Sequence, residues 1–132
     1  MMKNRYQMSN KILNLTQHYI TPEQEDDGVI EPHENKELIQ SLLTFEDIPS
    51  LNTIILRANT LTDIAVKEGV SSVMIGGAGY LMKELENALL DKNIIPLYSF
   101  TKRISIDEHM PDGTVEKTVI FKHDGFIRKD LK

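Results

Sequence analysis

Two short polar segments in this sequence carry groups that can bind a phosphate compound. In Thr16-Gln17-His18, two hydrogen-bonding side chains precede an imidazole that can donate to a phosphate or transfer a proton near neutral pH. In Gly76-Gly77-Ala78-Gly79, the glycines let the backbone approach an anion. Met82 stands where a dinucleotide fingerprint has its third glycine, so this loop predicts a general anion cradle, with a tight structural turn as the alternative.

A third polar segment follows the apolar run at residues 94–100. Ser99 and Thr101 supply hydroxyl groups, and the adjacent Lys102 and Arg103 offer a point charge and a planar fork for phosphate. Exposed charges on a strand are the alternative interpretation of the two cations. Hydroxyls, amides and cations from all three segments would suit a nucleotide better than an apolar metabolite.

The other titratable residues give weaker signals. A lone histidine is more often structural than catalytic, and this alternative stays open for His18. His33 and His109 lie in connecting segments and are predicted to face solvent, while His123, near the chain end, is a weaker candidate for the site. The acidic residues at 23–27 predict a solvated helix start. Neither a metal nor a cofactor is predicted.

Three buried strands are predicted to position the polar segments, at residues 12–15, 72–75 and 94–100. The strand, glycine loop, helix and strand between residues 72 and 100 form a βαβ pattern, which requires parallel strands and a right-handed crossover. Loops that leave the carboxyl ends of neighbouring parallel strands meet at one edge of the sheet. The three segments therefore converge on one pocket, provided that the third strand ends near Phe100.

Helices are predicted between these strands. Thr21-Pro22-Glu23-Gln24 has the pattern of a capping box, and Gly28 is expected to end this helix after about two turns. Residues 29–32 are expected to form a connection. Apolar side chains then recur at helical spacing in three runs, one ending before Pro49, one from about Leu51 to Glu68, and one after the glycine loop.

The last third of the chain is rich in β-forming residues around the turn signature Met110-Pro111-Asp112-Gly113, which predicts a hairpin. The predicted fold is a small Rossmann-like three-layer α/β domain with a short, mostly parallel sheet, three main helices and a C-terminal β-hairpin. Residues 1–10 are polar and lack periodicity, so they are expected to form a flexible extension before a single domain at 11–132.

Composition excludes several classes of protein. The chain has 132 residues, 40% of them apolar, which is typical of one soluble globular domain. Its 15 basic and 20 acidic residues give a net charge of −5, the wrong sign for a general nucleic-acid binder. The absence of cysteine excludes disulfides, thiolate metal sites and cysteine nucleophiles. No apolar run is long enough for a signal core or a membrane span, which predicts a cytoplasmic protein without a membrane partner.

The opening Leu13-Asn14-Leu15-Thr16-Gln17-His18, followed by Thr21-Pro22-Glu23-Gln24, resembles the start of small CRISPR-associated ring-nuclease-like proteins. In those proteins a strand ends in a polar-His pair, and a Thr-Pro-Glu-Gln helix start follows. The Ile75-Gly76-Gly77 loop and Pro96-Leu97-Tyr98-Ser99-Phe100 are similar in layout to the same Rossmann-like class. With the hairpin at Pro111-Asp112-Gly113, the chain also resembles small uncharacterised phage and prophage proteins.

The resemblance implies that the ligand is a cyclic oligoadenylate messenger of antiviral defence, bound across the symmetric face of a homodimer. It also implies metal-independent cleavage, in which the protein aligns a ribose 2′-hydroxyl against the adjacent phosphate and stabilises the developing charge. His18 and Lys102 are then the predicted catalytic residues. The predicted ligand-binding residues are Thr16, Gln17, Gly76, Gly77, Ala78, Ser99, Thr101 and Arg103.

Two other functions stay open from the sequence. The protein could bind the nucleotide without cleaving it, as a sponge in conflict between phage and host, or it could be a protein-interaction module. Cleavage of the nucleotide and binding without cleavage both imply the same partner, which is a small anionic nucleotide and not a long nucleic acid. Because 132 residues make only a minimal sheet, a pocket for a cyclic oligonucleotide would most easily be completed by a second copy of the chain.

Overall fold

The computed structural model describes residues 11–130, so the extension predicted at residues 1–10 lies outside the described part. Helices and strands alternate through the first two thirds of the chain, and two long strands end it. In chain order the elements are β1 Ile12–Leu15, α1 Pro22–Asp26, β2 Val29–Ile30, α2 Lys36–Leu42, α3 Leu51–Glu68, β3 Ser72–Ile75, α4 Gly79–Asp91, β4 Ile95–His109 and β5 Val115–Arg128.

The five strands form one sheet in the order β2-β1-β3-β4-β5. The first four strands of that order are parallel, and only β5 runs antiparallel to its neighbour. The chain moves outward from β1 to β2 and then back past β1 to β3, so the order reverses between β1 and β3. Right-handed crossovers in opposite directions lie on opposite faces of a sheet. Ligands of open α/β sheets bind at the carboxyl side of such a reversal.

The main core lies between the sheet and the three longer helices. Buried residues of β1 and β3 pack there against apolar faces of α2, α3 and α4. Among the fully buried residues are Leu13, Leu15, Ile39, Leu61, Leu81, Leu85 and Leu89. Each buried leucine contributes about 1.5–3 kcal/mol of hydrophobic free energy. Residues 52–56 contain β-forming side chains, but they are helical because the helix α3 buries one apolar face against this core. The predicted α/β fold, with its mostly parallel sheet and C-terminal hairpin, is confirmed.

The opposite face of the sheet carries the short helix α1. The predicted capping box is present, because the Thr21 hydroxyl accepts from the Gln24 backbone N–H and the Gln24 side chain accepts from the Thr21 backbone N–H. Helix α1 has only five residues, fewer than the two turns expected. The prediction of a plain connection after it was wrong, since Val29 and Ile30 pair with β1 as a two-residue strand.

The largest departure from the sequence prediction is the length of β4. The predicted end near Phe100 is wrong, because β4 continues to His109 and pairs with β5 from Leu97 to that end. A register shift between Phe100 and Thr101 replaces the expected loop. The antiparallel partner satisfies the backbone groups beyond the end of β3, so the β-forming residues there extend the strand instead of leaving the sheet. No helix among residues 11–130 is long and apolar enough to cross a membrane.

Candidate functional site

A cleft of about 490 Å³ lies at the carboxyl ends of β1 and β3, beside the middle of β4. This is the edge where the order of the sheet reverses. Helix α1 supplies another part of its wall through Gln24. The predicted site residues that line it are Thr16, Gln17, His18, Gly76, Gly77, Ser99 and Thr101.

The structure does not bring the remaining predicted residues into this cleft. Ala78 is the N-cap residue of α4, next to the lining glycines. Lys102 and Arg103 lie on the exposed part of β4, beyond the register shift. Their predicted position depended on a strand end that does not occur. No lysine or arginine is among the residues that line the described cleft, so the expectation that Lys102 and Arg103 bind a phosphate there has no support.

The loop after β1 is held by a buried amide. Asn14 is fully buried, and its Nδ2 donates to the His18 carbonyl at 2.7 Å and to Glu31 Oε1 at 3.0 Å. Its Oδ1 accepts from the backbone N–H and the hydroxyl of Thr16. Lys36 Nζ donates to the same His18 carbonyl and to Glu31. These contacts fix residues 16–20, which carry the His18 imidazole along the cleft.

The glycine loop offers backbone groups at the second wall. Gly77 has a φ of 154°, and an added Cβ would lie 3.4 Å from the Met82 side chain, so a larger residue would be strained there. Helix α4 begins directly afterwards, and Ala78 provides no side-chain cap for its first N–H groups. The positive end of a thirteen-residue helix therefore adjoins the cleft and favours a negative ligand.

The third wall of the cleft includes Ser99, which forms a hydrogen-bonded triad with His123 and Asp27 behind it. Ser99 Oγ lies 2.5 Å from His123 Nδ1, and His123 Nε2 lies 2.9 Å from Asp27 Oδ2. The imidazole is almost completely buried, at 1% exposure. If Nε2–H donates to the carboxylate, Nδ1 accepts from the serine hydroxyl, which is the arrangement that makes a hydroxyl a better proton acceptor or nucleophile. Only Ser99 of the three lines the cleft.

The sequence pattern indicates only a weak site candidate at His123 and a solvated helix start at residues 23–27, which include Asp27. The two residues are 96 positions apart, and their contact depends on β5 folding back beside β4. The one signal in the sequence was an isolated His in a β-forming segment that pairs with the predicted third strand. A hairpin register of one more or one fewer residue would turn His123 to the other face.

Tyr98 also lines the cleft, and it is tied to α4. Its hydroxyl donates to Glu86 Oε2 at 2.6 Å. Burial, followed by the hydrogen bond and charge of Glu86, raises the pKa of the Tyr98 phenol above its usual value. Folding therefore favours the protonated phenol, so its contribution to stability is complete below the unfolded pKa of about 10 and is lost as the pH rises above it.

Tyr98→Phe is expected to lower the free energy of unfolding at pH 7 by about 1 kcal/mol, because the hydrogen bond to Glu86 is lost. The difference from wild type should stay constant up to about pH 10 and shrink as the pH rises above that value, because the unfolded phenol then loses its proton before the folded one does. Urea denaturation followed by circular dichroism measures both. A difference that grows with pH would contradict the assignment of the raised pKa.

A larger cavity, of about 650 Å³, lies beside residues 44–50, and a hydrogen bond from Gln17 to Thr44 joins its lining to that of the cleft. Its one cation is already engaged. Arg57 Nη1 donates to the carbonyls of Ser41, Leu42 and Thr44, and its guanidinium lies 4.3 Å from the centre of the Phe45 ring. These contacts cap the end of α2, so the arginine has a structural role, and the smaller cleft is the better candidate for chemistry.

Among residues 11–130, no group of three or more His, Asp or Glu side chains is placed to hold a metal ion. A family model described as the Uncharacterized protein MJ1673 family matches residues 10–127. No curated protein and no solved structure matches the chain. The match covers the residues of the cleft and all three residues of the triad. The description of the family states no activity, ligand or partner.

Proposed function

Because the chain belongs to the MJ1673 family of uncharacterised proteins, we propose its function from the cleft itself: it binds a cyclic oligonucleotide and cleaves one of its phosphodiester bonds without a metal. The observation that carries this proposal is the meeting of His18, the Gly76-Gly77 backbone and the Ser99 triad at one cleft. A cyclic oligoadenylate is the specific ligand, as the resemblance of residues 13–24 implies. We also propose that the protein acts in the cytoplasm.

The cleft suits a compact anion with hydrogen-bonding groups. Its walls offer the Ser99 and Thr101 hydroxyls and backbone N–H groups before α4. The Thr16 hydroxyl and the Gln17 amide also line it, but they already donate to Asn14 and Thr44. The net charge of −5 disfavours a long polyanion along the surface but leaves a local site at the helix N-terminus. In the proposed complex a phosphate lies against the glycine backbone, and an adenosine ribose lies against Ser99.

Cleavage then needs three proton transfers and no added reactant. The ribose 2′-oxygen attacks the adjacent phosphorus, forming the O2′–P bond and breaking the P–O5′ bond. The 2′-hydroxyl proton passes to Ser99 Oγ while the serine proton passes to His123 Nδ1, and Asp27 stabilises the imidazolium. His18 donates a proton to the leaving O5′. The products are a 2′,3′-cyclic phosphate and a 5′-hydroxyl on an opened ring.

The deciding experiment incubates the purified protein with cyclic di-, tri-, tetra- and hexanucleotides in the presence of EDTA. Bound and free material is analysed by mass spectrometry before and after denaturation. Opened rings with a 2′,3′-cyclic phosphate support the proposal. Intact ligand released in stoichiometric amount indicates a sponge and overturns the catalytic part. No binding of any member of the panel overturns the whole proposal in favour of a protein-interaction module.

His18→Ala is expected to slow cleavage of the converted nucleotide about 10²-fold or more, because the leaving oxygen loses its proton donor. His109→Ala is the matched control, since this exposed histidine lies at the far end of β4. The control should cleave at the wild-type rate. Equal cleavage rates for wild type, His18→Ala and His109→Ala would remove His18 from the mechanism. A separate measurement of nucleotide binding would still test whether the ligand occupies the cleft.

A further inference from the structure

The far halves of β4 and β5 form an arm, defined here as residues 102–122. It extends past the end of β3, whose last partner in β4 is Leu97. Side chains on both faces of the arm are exposed or half-buried, and none is fully buried. An isolated two-stranded ribbon is marginally stable in water unless one of its faces is covered.

One face of the arm has a regular order of side chains. Directly paired residues share a face in an antiparallel ribbon, and the pairs Lys102–Lys122, Ile104–Ile120, Ile106–Thr118 and Glu108–Glu116 follow one another along this face. Lysines therefore stand opposite each other at the base, and glutamates stand opposite each other at the tip. Like charges in direct cross-strand pairs destabilise a ribbon, so this order has a cost within a single chain.

This face of the arm is complementary to the same face of a second arm that runs in the opposite direction, because the lysine end of each then meets the glutamate end of the other. The pair Ser105–Val119 lies midway between the lysine pair and the glutamate pair in both strands. A two-fold axis across the arm at this pair would place Lys102 of one copy over Glu108 of the other, and Lys122 over Glu116. Ile104 would then lie over Ile106 of the other copy, and Ile120 over its Thr118, so that the apolar centres of the two arms pack on each other. The lysine and glutamate pairs are about 20 Å apart, so all these contacts fit along one arm.

We propose that this face of the arm binds the same face of a second copy, with the two arms antiparallel. Such an isologous contact covers Ile106, which is 42% exposed, and turns two repulsive pairs in each chain into four attractive pairs between chains. The proposal does not rest on the function proposed for the cleft. It gives a second copy of the chain a defined binding surface, formed by the C-terminal hairpin.

The test measures oligomeric state by analytical ultracentrifugation over about 1–500 µM protein. Wild type should form dimers of twice 15.1 kDa. An acidic variant, Lys102→Glu with Lys122→Glu, and a basic variant, Glu108→Lys with Glu116→Lys, should each be monomeric. A mixture of the two should form heterodimers, because each lysine end then meets a glutamate end. Lys67→Glu with Lys92→Glu changes the net charge equally at exposed sites away from the arm and should remain dimeric.

Three results would overturn the proposal. The first is a wild-type protein that stays monomeric over the whole range. The second is a dimer that persists in both charge variants, which would place the interface elsewhere, for example along the free edge of β5. The third is a mixture of folded variants that stays monomeric. Circular dichroism of each variant confirms folding before it is tested, and the heterodimer measurement shows directly that both variants keep a competent arm.

Discussion

His123→Ala is expected to slow cleavage about 10²- to 10⁴-fold while binding of the nucleotide changes little. The imidazole is buried behind Ser99 and does not line the cleft, so its removal leaves the ligand-contacting surface in place. The serine hydroxyl would lose the group that takes its proton. Single-turnover cleavage and equilibrium binding, measured separately on the nucleotide that wild type converts, give the two effects.

The triad also permits a sharper test through a pair of substitutions. If Ser99 and His123 transfer one proton in sequence, the double variant Ser99→Ala with His123→Ala should be no slower than the slower single variant. If the two side chains acted independently, the fold-reductions in the cleavage rate of the two single variants would instead multiply in the double variant. Ser99→Ala removes one oxygen from a half-buried side chain and should leave folding intact, so it keeps the test valid if His123→Ala is unstable.

A different result is expected if the triad has only a structural role. The contacts of His123 with Ser99 and Asp27 tie β5 and β4 to α1, so the triad could serve only to fix that helix. In that case Ser99→Ala and His123→Ala would lower the free energy of unfolding but leave the cleavage rate of the folded protein unchanged. Normal rates in both folded variants would thus exclude the triad from catalysis.

Local signals predicted most of the fold. The capping box at Thr21 and the helix from Leu51 to Glu68 both lie where the sequence predicts them, because each depends on residues close together in the chain. Strand β2 has no such signal. Its two residues are a strand only because β1 lies beside them, and a two-residue run has no periodicity to detect.

The candidate site was predictable to the extent that it depends on strand ends. Thr16 and Gly76 follow β1 and β3 at the positions that the apolar runs indicate, and both line the cleft. Lys102 was misplaced because the end of β4 is set by pairing with β5, a contact between distant parts of the chain. The triad was missed for the same reason. Sequence periodicity carries no information about which distant side chains meet.

The buried amide of Asn14 gives the largest expected effect on stability. Asn14→Leu keeps the approximate volume but removes four hydrogen bonds, leaving the Thr16 N–H and Glu31 Oε1 with fewer partners in a part-buried site. We expect the free energy of unfolding to fall by about 2–4 kcal/mol. Asn52→Leu, at an exposed position of α3, is the matched control and should change it by less than about 0.5 kcal/mol.

The position of the amide makes its effect local as well as global. The Asn14 side chain contacts both ends of the turn that carries His18, because it bonds to the backbone at Thr16 and at His18. Without it, the His18 carbonyl would keep two donors, Lys36 Nζ and the Thr16 hydroxyl, and would lose the shortest of its hydrogen bonds. Hydrogen exchange at residues 16–20 should therefore accelerate in Asn14→Leu more than exchange in the α3 core does, and nucleotide binding should weaken. Unchanged exchange in this loop, with a uniform loss of stability elsewhere, would show that Asn14 supports the core and not the site.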